Sequence, residues 1–234
     1  MNSIPPIRML VLTLTGRCNF ACRYCYASDV DAVDMDEETA VEAVMMAGAS
    51  GVRFLLQFSG GEPLLRFPLI RKLVHVVEEN HFHAQMQIQT NGSLLTRDIG
   101  RFLYDHGVGI GISCDGRPSV MDRTRPVKDG SSSSKAAARA EEGIGTGITC
   151  VVTDDMVNDL PGIADMAHFY GNVHQVGFDI LREQGRGENL HEPSARDMEK
   201  ALETVYNRMA MLEKVTGRHI HFTQEDRVAH LYGG

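Results

Sequence analysis

Three cysteines fall within eight residues of this chain, in the run Cys18-Asn19-Phe20-Ala21-Cys22-Arg23-Tyr24-Cys25. Thiolates are soft donors that suit iron–sulfur clusters and zinc. Three of them on one tight loop can converge on one metal centre. A closed structural site takes four protein ligands, and the remaining cysteines, Cys114 and Cys150, are far along the chain. Three ligands leave one coordination position open, and an open position is where a substrate or cofactor binds. The competing assignments are buried cysteines packed as small apolar groups, or a zinc loop completed by a distant histidine.

Four other segments carry residue types that do chemistry. Ser59-Gly60-Gly61-Glu62-Pro63 pairs two glycines, which let backbone approach a ligand closely, beside a carboxylate. Gln89-Thr90-Asn91-Gly92 and Ser113-Cys114-Asp115-Gly116 each combine polar side chains with a turn glycine. Asp122-Arg123-Thr124-Arg125-Pro126 is densely charged. Each reads equally as an ordinary turn when taken alone. Gly107, Gly109 and Gly111 lie within an apparent strand rather than opening a helix, so they fail the context test for dinucleotide binding. The pairs His81/His83 and His219/His221 read as exposed or strand-edge histidines, and Cys114 and Cys150 as packed thiols.

The elements that must position these segments alternate. Strands are expected at Met9–Thr15, Arg53–Phe58, Gln85–Gln89, Val108–Ser113, Thr149–Thr153 and Val173–Ile180, where short apolar runs meet turn signals. Helices are expected over Asp36–Ala49, from Pro68 onward, and over Thr96–His106 and Leu160–Tyr170. The last is a long one at Ser194–Thr216, with Ser194 as N-cap and Gly217 as stop. Six strand–helix units predict an α/β fold with a parallel sheet or partial barrel. Chemistry in such folds belongs to the loops at the C-terminal ends of the strands. The cysteine run follows the first strand, Gly60–Pro63 the second, Asn91 the third and Ser113–Gly116 the fourth. Gly130–Ala140 is of low complexity.

Taken together, these motifs resemble the radical S-adenosylmethionine (SAM) superfamily. The pattern CxxxCxxC with an aromatic before its last cysteine is similar to that family's cluster loop. The resemblance implies a partial (β/α)6 TIM-like barrel. It implies a 4Fe–4S cluster on Cys18, Cys22 and Cys25, whose fourth iron is chelated by SAM. Reductive cleavage of SAM would then yield a 5′-deoxyadenosyl radical that abstracts a hydrogen atom. Gly60, Gly61 and Glu62 would cradle the methionyl end of SAM, with Tyr24, Asn91 and Ser113 lining its pocket. Arg139 would contact the SAM carboxylate or ribose, or else sit on a solvated helix face. Ser113–Gly116 and Asp122–Pro126 resemble segments of the sulfatase-maturase-like, peptide-modifying (SPASM-type) subgroup, with Met121 where that subgroup has histidine. The resemblance therefore implies a peptide or protein substrate and an electron donor such as flavodoxin or ferredoxin. A small-molecule or cofactor-precursor substrate, and a non-catalytic or zinc-binding module, are the alternatives. Residues 1–185 would form the core barrel. Residues 186–234 would form a C-terminal helix and linker segment, leading to a cysteine-rich auxiliary-cluster extension that is either absent or truncated.

Bulk properties narrow the setting. The chain has 234 residues, 43% hydrophobic and 23% charged, with a net charge of −8. That charge disfavours a nucleic-acid backbone as main partner. No apolar run reaches the length of a membrane span, and the start lacks the pattern of a secretory signal. With thiols clustered rather than spread as a disulfide framework, a reducing cytoplasm is expected.

Overall fold

A computed structural model describes residues 5–29, 31–137 and 145–223. Its elements fall into two compact units. The first comprises residues up to Asn19, Val30–Thr90 and Leu94–Ile110. The second comprises Phe20–Asp29, Asn91–Ser93 and the chain from Gly111 onward.

Three parallel strands make the sheet of the first unit: β1 (Met9–Thr13), β2 (Phe54–Ser59) and β3 (Ala84–Thr90). Met9 pairs with Leu55 in the first register and Phe54 with Ala84 in the second. Alternation sets the buried face, with Phe54, Leu56 and Phe58 inward on β2 and Met86, Ile88 and Thr90 on β3. Helix α1 (Glu37–Gly48) starts at Asp36, whose carboxylate accepts the Thr39 N–H at 2.9 Å. Helix α2 (Phe67–Glu79) follows a 3₁₀ turn at Pro63–Arg66 and buries Leu69, Ile70, Leu73, Val74 and Val77. These positions repeat with helical spacing, so one stripe of α2 supplies core. Helix α3 (Arg97–Asp105) is capped by Thr96 and buries Leu103.

The chain passes from one unit to the next along β4 (Gly109–Ser113). In the second unit β5 (Thr146–Val152), β6 (Val173–Ile180) and β7 (His221–Phe222) pair in parallel. Around them lie α4 (Pro118–Thr124), the single turn α5 (Ser134–Ala137), α6 (Pro161–Phe169) and α7 (Ala195–Thr216). Their core includes Ile148, Val152, Ile163, Ala167, Val176, Phe178 and Val205. Ser194 caps α7 by accepting the Asp197 N–H, and Gly217 ends it at φ 69°, where a side chain would be strained.

The expected elements all form, with shifts that have physical causes. β1 stops at Thr13 because Thr15 turns its hydroxyl onto Asp34, at 2.6 Å. β5 starts three residues early because strand pairing to Val173 captures Thr146, a position without an apolar signal. A seventh strand, β7, is too short at two residues to show in any pattern.

Candidate functional site

The root of the cysteine loop belongs to the first unit. Thr15, Gly16 and Arg17 lead into Cys18 beneath the turn that follows β2. Gly61 donates its N–H to the Thr15 carbonyl at 2.7 Å, and Glu62 donates to that of Arg17 at 2.9 Å. A Cβ on Gly61 would lie 2.3 Å from the Arg17 oxygen, and one on Gly60, at φ 138°, would lie 2.5 Å from the Thr15 oxygen. The paired glycines therefore serve a close crossing of two backbones, the second being the cysteine loop's own root.

Glu62 is completely buried. Its Oε1 accepts the Leu64 N–H at 3.0 Å and the Thr90 hydroxyl at 2.7 Å. Asp34, which sequence reasoning passed over, fixes the same root from the other side. It accepts from Thr15 and from Arg17, and pairs with Arg66 at 2.8 Å. The Thr15 hydroxyl, then the Arg17 and Arg66 guanidinium groups, hold its carboxyl below the usual range.

The rest of the loop, Phe20–Cys25, belongs to the second unit and is held by three parts of it. Ala21 and Arg23 donate their N–H groups to the carbonyls of Pro126 and Thr124, at 2.7 and 2.8 Å. Arg186, in the loop after β6, donates its backbone N–H to the Cys25 carbonyl at 3.1 Å and its Nε to the Cys22 carbonyl at 2.8 Å. Gly185 precedes it at φ 57°, and a Cβ there would lie 2.6 Å from the Cys25 oxygen.

The third anchor is a buried polar cluster around Tyr24. Its hydroxyl donates to the Asp115 carboxylate, with oxygens at 2.7 and 2.9 Å. Thr124 donates to the same carboxylate at 2.5 Å. Arg125 donates from Nη1 to the Tyr24 oxygen, with its Nη1 3.9 Å from Asp115 and its guanidinium 5.7 Å from the Tyr24 ring centre. Met121 is fully buried, and its sulfur accepts the Asp115 N–H at 3.1 Å. Burial pushes the Tyr24 phenol well up, against the pull of Arg125, so it remains a neutral donor. Burial also works against the Arg125 charge, but Tyr24, Cys22 and Asp115 outweigh it and keep the guanidinium protonated. Arg125 Nε is buried with no hydrogen-bond partner among the described residues.

The other expected pocket residues are placed as follows. Asn91 is buried, and its Oδ1 accepts the Ser93 N–H at 2.9 Å and hydroxyl at 2.6 Å, which closes the turn after β3. Ser113 is half-buried at the end of β4. Arg139 lies outside the described residues. None of the five cysteines is in a disulfide. Cys18 and Cys25 are half-buried and Cys22 buried. Burial raises Cys114 to about 11, and raises Cys150 as well, so both are inert packed thiols.

The family model described as the Radical SAM superfamily matches residues 12–167. This chain belongs to the radical SAM superfamily. The cofactors of that family are a 4Fe–4S cluster and SAM. An uncharacterized protein of Methanocaldococcus jannaschii is 32% identical over 206 residues, 84% of this chain and 70% of that protein. The Fe-coproporphyrin III synthase of Methanosarcina barkeri is 28% identical, over 88% of this chain and 52% of its own. The serine-type anaerobic sulfatase-maturating enzyme of Klebsiella aerogenes is 33% identical, over 57% of this chain and 36% of its own. This radical SAM chain thus spans about half or less of those two named enzymes. The solved structure of native anSMEcpe with bound AdoMet matches with a TM-score of 0.81 at 20% identity, over 97% of this chain and 67% of that one. That likeness shows the α/β radical SAM fold.

Proposed function

We propose that this radical SAM protein is an enzyme that modifies a peptide or protein side chain, with Cys18, Cys22 and Cys25 holding the cluster. The observation that carries the reading is a loop of three thiols outside any disulfide, whose backbone is held at its root and in its far half. Gly61 and Glu62 bind its root, and Pro126, Thr124 and Arg186 bind its far half. The donor set fits a cluster with one iron left to an exchangeable ligand, since three thiolates within eight residues leave one corner unclaimed.

When bound, the cluster and SAM supply reductive cleavage of the sulfonium and a deoxyadenosyl radical for hydrogen abstraction. The chain's own residues bind and orient. Gly60, Gly61 and Glu62 receive the methionyl end, where the buried Glu62 carboxylate suits an ammonium group. The resemblance adds Asn91, Ser113 and Arg139 as further contacts of SAM. Tyr24, tied to Asp115, sets the direction of the loop between Cys22 and Cys25, and its burial keeps water from that side of the thiols. A small flavoprotein or ferredoxin is the proposed electron donor.

Support for the peptide substrate comes from the 33% identity to a sulfatase-maturating enzyme. A small-molecule substrate is the second reading, favoured by the longer match to Fe-coproporphyrin III synthase. The test is anaerobic reconstitution with iron and sulfide, then reduction in the presence of SAM with a peptide library or a tetrapyrrole panel. A peptide-dependent rise in 5′-deoxyadenosine is expected. A rise with tetrapyrroles alone would transfer the assignment to the second reading.

A further inference from the structure

His75, Glu78 and His106 are brought together on the first unit, away from any motif used above. His75 and Glu78 stand three residues apart on one face of α2, where side chains are neighbours. His106 closes α3, its N–H donating to the Phe102 carbonyl at 3.1 Å, with Gly107 following at φ 66°. One nitrogen from each histidine and one Glu78 oxygen lie within 4.8 Å of one another.

Both imidazoles turn a ring nitrogen to the one carboxylate. His75 Nδ1 lies 3.4 Å from Glu78 Oε2, and His106 Nδ1 lies 2.7 Å from Oε1. Bonds of about 2.0–2.1 Å at tetrahedral angles put neighbouring ligand atoms about 3.3–3.4 Å apart. A plain ion pair accounts for His106, which is at hydrogen-bond distance. His75 turns the same ring nitrogen to the other oxygen of that carboxylate at 3.4 Å, the spacing of two ligands on one ion. Both rings lie against Phe102, whose centre is 4.2 Å from that of His106 at a 37° tilt and which meets His75 edge-on at 5.9 Å. The imidazole centres are 5.4 Å apart.

We propose that His75, Glu78 and His106 form a site for a divalent cation of the zinc type. Each imidazole ligates through Nδ1 and Glu78 through one carboxylate oxygen, with water completing four-coordination at a half-exposed position. The ion ties α2 to the end of α3. Two imidazoles and a carboxylate favour zinc over magnesium or calcium, which take oxygen ligands.

The test must separate this site from the cysteine loop. The full chain carrying Cys18→Ser, Cys22→Ser and Cys25→Ser is titrated calorimetrically with zinc chloride, and the zinc complex is measured by X-ray absorption. One equivalent should bind, with nitrogen and oxygen neighbours at about 2.0–2.1 Å and no sulfur at about 2.3 Å. At zinc concentrations 100-fold above Kd, Tm should rise by about 5–10 °C. His75→Ala and His106→Ala should each lose the binding heat and the Tm rise while keeping the zinc-free Tm near that of the parent. Glu78→Gln should weaken binding in the same way. Absence of zinc uptake, a sulfur neighbour, or equal uptake in the histidine variants would overturn the proposal. The result stands or falls independently of the radical SAM reading.

Discussion

Replacing Arg125 by methionine isolates the polar cluster that holds Tyr24. The change keeps most of the side-chain volume and removes the charge. Asp115 has no exposed side-chain surface and Arg125 has 7%, so bulk water cannot take over the lost partner. Removing one member of a buried ion pair costs about 3–5 kcal/mol, because the other charge stays buried. Asp115 keeps the Tyr24 and Thr124 hydroxyls at 2.7 and 2.5 Å, which places the expected loss near the lower bound, about 3 kcal/mol. For a chain of this size each kcal/mol moves Tm by about 2–4 °C, so a fall of about 6–12 °C is expected. Thermal unfolding followed by circular dichroism reads it. The companion Asp115→Asn removes the carboxylate charge, and the double variant removes both. If the charge pair is the cause, the double variant should be less damaged than the two singles summed, by about 0.5–3 kcal/mol. Strict additivity, or a loss below about 1 kcal/mol for Arg125→Met, would refute the reasoning.

Two further outcomes follow from the same contacts. Cys114 ionises near 11 in the folded chain and Cys150 is also raised, against about 8.5 for an exposed thiol. Between those values the unfolded chain has already lost its thiol protons while the folded chain keeps them, so stability falls as pH rises from about 8.5 toward 11. Urea midpoints at pH 8 and pH 10 should show this fall, and Cys114→Ala with Cys150→Ala should flatten it; an unchanged slope would contradict the assignment. At the cysteine loop, Gly185→Ala drives a Cβ to 2.6 Å from the Cys25 carbonyl at a strained φ, and reconstituted iron content should drop. Arg186→Gln loses only the Nε contact with Cys22; iron content should hold while the cluster midpoint potential falls, since a cation beside it is gone.

Much of this architecture was legible in the residues. Short apolar runs meeting turn signals marked β2 and β3, and Ser194 announced the start of α7 through cap chemistry that acts over three residues. The cysteine spacing that matches the family is local in the same way. What escaped was long-range. Asp115 meets Tyr24 across 91 positions, Arg125 meets it across 101, and Arg186 meets Cys22 across 164. No pattern in sequence encodes such a meeting, and Arg186 sat inside a stretch that reads as loop. Asn91 shows the opposite case: the ordinary turn expected at Asn91-Gly92 forms, with the Asn91 Oδ1 accepting from Ser93.

The central claim is that Cys18, Cys22 and Cys25 together hold a cluster with one iron open to SAM. Electron paramagnetic resonance of the anaerobically reconstituted and reduced chain, with and without SAM, tests it most directly. The account predicts a reduced 4Fe–4S signal that changes on SAM addition and is lost in Cys22→Ala but kept in Cys114→Ala. A spectrum indifferent to SAM, or a signal that survives Cys22→Ala, would contradict it.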